Sequence, residues 1–450
     1  MQAAHTLDVS DALAFRADKL GFLLRCARRS DVVQLKLGRG RTYLLNDPID
    51  IRHVLVTEEP RFPKNPRLVD AADPALFGEG LAGSSEADHR SRRLSFQPVF
   101  DQGRLQAFAD VVGGCVDELL DARVSSGEFD VVDLTVELAH RVRLRVLLGD
   151  RADEFADELV DAMTARQRYI GQVFVSALPF SDRLPTRAKR EFRRAQQTLE
   201  RILFGLIDER RREATAIAMA KTDLLMHLLE LRTEDGSPVG DQRVLDEARG
   251  FLASYELSGR GLAWTLCLLA EHRDVQSRLA RELDEVVAGE TPLLGYAQTI
   301  YSEALRLYPP TWLFVRMAPE DVQLPSGRVI PAGSRLFLCP YTSHRDPRVF
   351  PEPERFDPER FRPGPAMRAR PRSAYFPFGG GRHICIGEGF VRLEAALVLS
   401  RLVRRFELTR VSNRPVVPFP GVTLEPRGEL GLRLSARRRR GPNVSCSDAG

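Results

Sequence analysis

Apolar residues recur every three to four positions through most of this chain, and the stretches that break the rhythm are short. Residues 12–30 carry helical spacing, after which Val32-Val33-Gln34-Leu35-Lys36-Leu37 changes period. With Thr42-Tyr43-Leu44-Leu45 it predicts two strands joined through Gly38-Arg39-Gly40-Arg41. Asp47-Pro48 opens a helix over 49–57, with an acidic cap and a proline where the missing N–H would be unpaired anyway. From 104 to 228 the pattern is amphipathic helix, broken near Pro179 and Pro185. A long helical run covers 243–285, and Phe390, Leu393, Leu397, Val398, Leu402 and Phe406 mark another. Val322 to Leu324, Val329-Ile330 and Leu336-Phe337-Leu338 read as short strands, with Pro331-Ala332-Gly333 as a turn. The pattern predicts a mainly α chain with a small β lobe.

Composition changes this picture little. The 450 residues are 43% hydrophobic and 28% charged, as expected of a globular chain with a large core. Length alone would suggest two or three domains. A net charge of +4 does not favour nucleic acid as a partner. The six cysteines, at 26, 115, 267, 339, 385 and 446, have no paired spacing and read as reduced thiols. The most apolar early stretch, Gly21 to Leu24, is closed by Arg25, far short of the roughly 18 residues of a membrane span. Gly78-Glu79-Gly80-Leu81-Ala82-Gly83 has dinucleotide-loop spacing but no β-α-β surroundings, so it reads as a loop over a pocket.

Candidate chemistry centres on Phe378-Gly379-Gly380-Gly381-Arg382-His383-Ile384-Cys385-Ile386-Gly387. The glycines allow a tight turn, and Cys385 sits where a helix begins, a position that favours a thiolate. A lone cysteine is more often a small buried hydrophobe. No second cysteine lies at metal-ligand spacing, but one thiolate suffices for haem iron. The run Phe-x-x-Gly-x-His-x-Cys-x-Gly resembles the haem-binding loop of the cytochrome P-450 family, in which Cys385 would be the iron ligand and Phe378, His383 and Gly387 would contact the cofactor.

Other motifs extend the resemblance over about 30–435. His89 and Arg93 share a helix face, an arrangement usual for a solvated basic surface. His-x-x-x-Arg here resembles the family's propionate-binding pair, and Arg316 matches a further propionate arginine. Glu303 and Arg306 lie on one face of a helix ended by Pro309-Pro310. With Arg360 in Phe356-Asp357-Pro358-Glu359-Arg360-Phe361 they resemble the family's structural network behind the cysteine loop. In Ala253-Ser254-Tyr255-Glu256-Leu257-Ser258-Gly259 the family's Ala-Gly-x-acid-Thr is matched with Glu256 as the acid, Ser254 for glycine and Leu257 for threonine. Leucine cannot donate a hydrogen bond. Three readings stay open: Ser258, about 100° further round the helix, supplies the hydroxyl after a distortion; a substrate hydroxyl or water completes the relay from Glu256; or the chemistry needs less protonation.

The resemblance implies one domain over 1–450, with an N-terminal helix within 1–30, and the arginine run at 437–440 with the polar residues after it makes 436–450 a tail expected to be disordered. It implies haem b between a long distal helix and the proximal cysteine loop. The expected activity is insertion of one oxygen atom from dioxygen into an apolar small molecule, such as a bacterial terpenoid or polyketide. The implied partners are ferredoxin and ferredoxin reductase, and the implied protein is a soluble cytoplasmic monomer. Ala253, Leu257, Thr311, Trp312 and Phe314 are the expected substrate-facing residues, with a last β-rich loop at Phe419 to Glu429. A peroxide-using or rearranging enzyme, or a haem-binding sensor, are the alternatives.

Overall fold

The N-terminal helical stretch divides in two. Asp18 leaves helical geometry (φ −149°, ψ 86°), and its carboxylate accepts the Gly21 N–H at 2.8 Å, ending α1 (Ser10–Ala17) and capping α2 (Lys19–Ala27). The computed structural model describes residues 10–38, 40–64, 80–81, 83–84, 86–123, 127–175, 186–213, 223–285 and 295–437. The helix expected over 49–57 is α3 (Pro48–Arg52) continued by a π turn over His53–Thr57. Next come α4 (Glu86–Phe96), α5 (Gln102–Arg123), α6 (Val131–Leu148), α7 (Ala152–Val175), α8 (Arg187–Glu213) and α9 (Leu224–Leu229). The expected breaks at Pro179 and Pro185 lie outside the described residues. Another break, unforeseen, precedes α6, where Asp130 accepts the N–H groups of Val132 and Asp133 at 2.8 and 3.2 Å.

The run at 243–285 is three helices, α10 (Asp241–Ala253), α11 (Tyr255–Glu271) and α12 (Arg273–Glu285). Ser254 separates the first two. Its N–H and its hydroxyl both donate to the Phe251 carbonyl, at 3.1 and 2.7 Å, tightening the turn. After α12 come α13 (Tyr296–Leu307), α14 (Pro340–Ser343), α15 (Pro365–Ala369) and α16 (Glu388–Arg405). Helix α11 runs through the main apolar core, flanked by α6 and α13. A Cβ on Gly261 would stand 2.9 Å from the Tyr301 hydroxyl of α13, so only glycine permits this approach. Trp264 is fully buried, stacks on Tyr308 at 3.7 Å, and donates Nε1–H to the Leu424 carbonyl at 2.9 Å.

The described strands are β1 (Val32–Leu35), β2 (Thr42–Leu45), β3 (Glu128–Asp130), β4 (Phe314–Ala318), β5 (Val322–Gln323) and β6 (Val329–Ile330). They continue with β7 (Ser334–Leu338), β8 (Phe406–Arg410), β9 (Val417–Pro420), β10 (Leu424–Arg427) and β11 (Gly431–Ala436). The expected hairpin forms, with Val32 opposite Leu45, but it gains distant partners. Strand β7 lies parallel to β2, and β4 antiparallel to β7, in the order β1-β2-β7-β4. This carries Arg316, opposite Leu336, toward the N-terminal lobe, where it also bridges to Lys64. Of the tail expected to be disordered, Ala436 closes β11 and Arg437 pairs with Asp284; 438–450 lie outside the described residues.

Candidate active site

The cysteine loop is held by its own backbone. The Cys385 N–H donates to the Phe378 carbonyl at 2.9 Å, and the Gly379 N–H to the Phe376 carbonyl at 3.0 Å. Gly381 has φ +65°, and a Cβ there would stand 2.0 Å from the Leu55 carbonyl oxygen. Both facts demand glycine and seat the loop on the turn after α3. Cys385 is solvent-accessible, yet burial is the main influence on its thiol and pushes it up. The Gly387 N–H at the start of α16 opposes this, as do the guanidinium groups of Arg93 and Arg143. A sulfur that is deep, accessible and facing donors suits a metal ion, which would deprotonate it.

Cationic and donor groups gather beside the loop. Arg93 Nη1 donates to the Ile384 carbonyl at 2.6 Å. The His89 ring is buried 3.9 Å from that of His383. His383 Nε2 lies 2.8 Å from Glu59 Oε1, and Arg382 Nε donates to Glu59 Oε2 at 2.8 Å. Burial, then the charge of Lys64, pushes His383 down to about 4, against the opposing charge of Glu59. Arg316 is buried, donates Nη1–H to the Val315 carbonyl at 3.1 Å, and acts electrostatically on His383. His89, Arg93, Arg316 and His383 are therefore neighbours beside the loop. Lys64 and Glu59 join them. Arginine, lysine and histidine side chains gathered at one place, two of them buried, suit a ligand carrying carboxylates.

Behind the loop, Arg306 and Glu303 are fully buried. Arg306 Nε and Nη2 donate to the Glu303 carboxylate at 2.7 and 2.8 Å. The remaining donors reach the carbonyls of His344, Pro353 and Arg355 at 2.9, 2.7 and 3.1 Å. Arg360 Nε lies 3.4 Å from Glu303 Oε1. His344 links this network to the loop, since its Nε2 accepts the Phe376 N–H at 2.9 Å.

On the distal helix, Glu256 is buried and accepts Arg260 Nε–H at 2.9 Å. Leu257 is 41% exposed and Ala253 half-buried, although most of α11 is buried. Ser258 does not meet the expectation of a relay hydroxyl. It is buried, accepts Arg143 Nη2–H at 2.9 Å and is 3.3 Å from the Tyr255 carbonyl, so its face turns to α6. Trp312 is buried. It belongs to the same apolar cluster as Leu20, Phe22 and Leu23 and donates Nε1–H to the Gly421 carbonyl at 3.0 Å. Phe314 lies against Gly379 of the cysteine loop, and Thr311 is half-buried.

A family model described as Cytochrome P450 matches residues 16–430. The chain belongs to the cytochrome P450 family. It is 33% identical over 419 residues to cyclooctat-9-en-7-ol 5-monooxygenase of Streptomyces melanosporofaciens, covering 90% of this chain and 86% of that protein. It is 32% identical to pentalenene oxygenase of Streptomyces avermitilis, covering 93% of each. In fold it matches a retinoic acid-bound cyanobacterial P450 with TM-score 0.81, 23% identity and coverage of 95% of this chain and 96% of that one. This P450 is thus a haem-dependent oxidoreductase, and haem b is its cofactor. Among its described residues no helix is long and apolar enough to cross a membrane.

Two buried histidines give this P450 an acid limit. Burial, with Arg143 adding, pushes His140 of α6 down to about 4, and burial, with Arg306 adding, pushes His344 well below its ordinary value. Each folded pKa lies below the unfolded value of about 6.5, so the unfolded chain binds more protons below that pH. Stability is expected to be full above about pH 7 and to fall progressively toward pH 4. Denaturant unfolding across that range checks this; a flat profile would contradict it. His344 was missed in the sequence because nothing local marks it as an acceptor for Phe376.

Proposed function

We propose that this P450 inserts one oxygen atom from dioxygen into an apolar terpenoid-type carbon skeleton, using electrons from a separate ferredoxin and ferredoxin reductase. The similarity to cyclooctat-9-en-7-ol 5-monooxygenase, cyclooctatin synthase and pentalenene oxygenase over at least 90% of this chain carries the reading. The apolar, exposed Leu257 fits such a skeleton. Free cysteines support a cytoplasmic setting.

Cys385 would hold the iron, with Phe378 and Gly387 shaping the loop beneath the porphyrin. His89, Arg93, Arg316 and His383 would face its propionates, and Lys64 would add positive charge. The haem supplies the iron at which dioxygen is activated, and the reaction consumes two electrons and two protons to give hydroxylated product and water. Glu256 is the acid nearest the break in the distal helix, held by Arg260. Leu257 offers no hydroxyl and that of Ser258 is bonded to Arg143, so a substrate hydroxyl or water would carry the proton onward.

Leu257→Thr is expected to raise the product formed per dioxygen consumed by a few-fold. An unchanged ratio would show that the native relay needs no hydroxyl at 257. The same residue supports a second reading, a P450 that uses peroxide or rearranges its substrate. Incubation with terpenoid substrates separates the two. Product with dioxygen and reduced ferredoxin supports the monooxygenase; product with peroxide alone supports the second; spectral shifts without product would leave only a binding role.

A further inference from the structure

Arg143 occupies the middle of the body between the two halves of the site. It is 1% exposed, and its Nη1 and Nη2 donate to the Glu394 carboxylate at 3.0 and 3.1 Å. Glu394 is fully buried on α16, the helix that begins just after Cys385. Two further donors go elsewhere. Nε donates to Ser254 Oγ at 2.8 Å, and Nη2 to Ser258 Oγ at 2.9 Å. The guanidinium also lies 5.4 Å from the Phe251 ring centre and 4.8 Å from that of Phe390. Phe251 belongs to α10 and Phe390 to α16, so both apolar contacts span the same two structures.

A buried ion pair alone is weak evidence of stabilisation, because desolvation opposes the attraction. What distinguishes this pair is where its other donors go. Ser254 is the break residue, and its hydroxyl accepts from Arg143 while donating to the Phe251 carbonyl. Ser258 lies one turn beyond. One planar fork therefore grips the distal helix on both sides of its break and holds the helix leading from the cysteine loop. One turn before Arg143, His140 stacks on Tyr255 at 3.6 Å, adding a second hold from α6.

We infer that Arg143 is a positioning residue of this P450: it fixes the break at Ser254, and with it Glu256 and Leu257, relative to α16 and the Cys385 loop. Serine at 254 is then part of the device, because glycine there could not accept the Nε–H. The inference rests on Cys385 as the iron ligand, a point read separately from the carbon monoxide band of the unsubstituted protein.

Ser254→Ala leaves the Arg143–Glu394 pair intact and removes one hold. In the haem-loaded full chain, amide exchange over 251–258 is expected to accelerate about tenfold, with the thiolate-type band kept and the unfolding midpoint within a few degrees. Ser254→Thr, which keeps the hydroxyl, should restore native exchange. Arg143→Lys keeps the charge but cannot reach all three partners, and should reproduce the local acceleration. Native exchange in Ser254→Ala would overturn the inference. So would acceleration spread evenly over all helices, which would mark a merely global loss of stability.

Discussion

Cys385→Ala is expected to abolish the thiolate-type carbon monoxide band of the reduced, haem-loaded protein, and oxygen insertion with it, while the fold survives. The loop should persist because its holds are backbone bonds: Cys385 N–H to Phe378, Gly379 N–H to Phe376, and the seat of Gly381 on Leu55. None uses the sulfur. The other described cysteines, Cys26, Cys115, Cys267 and Cys339, are buried in the core and cannot replace it. Loss is therefore expected to be complete, because thiolate donation to the iron is what supports O–O cleavage in this family. The difference spectrum checks it. A surviving band would refute the assignment.

Arg306→Ala should be the most damaging change outside the site, preventing recovery of folded, haem-containing protein. The substitution leaves the buried Glu303 carboxyl without its bidentate partner, and strips the carbonyls of His344, Pro353 and Arg355 of their donor. Breaking a buried pair in this way costs about 3–5 kcal/mol, a large part of the roughly 5–15 kcal/mol that holds a domain together. Arg306→Lys should fall between, since one ammonium keeps the charge but cannot reach every acceptor. Haem content and thermal unfolding of the purified variants decide it. An Arg306→Ala protein melting within a few degrees of the native one would show that the network matters little.

The cysteine loop was legible in the sequence because its constraints are local: glycines for the turn, one sulfur, a helix start. The Glu303–Arg306 pair was legible because three-residue spacing puts both on one helix face. Its full burial was not, since the carbonyls that complete it come from 344, 353 and 355. Glu59 and Lys64 carried no motif and acquired meaning only when the turn after α3 met the loop. The Trp312 indole bond to the Gly421 carbonyl was not legible, because a position near a pocket says nothing of rotation or of a partner 109 residues away.

By itself the sequence determined the family, the sulfur, and the alternation of helix and strand, all set by residue type at short separation. The four-stranded sheet was decided only in three dimensions, because β2 and β7 pair across most of the chain. The distal helix shows the difference most clearly. Helical geometry put Ser258 about 100° from Leu257 and stopped there. Which neighbour that face would meet depended on Arg143 of α6, which is also paired with Glu394 of α16, a meeting of three distant segments driven by burial and by the need to satisfy a buried charge.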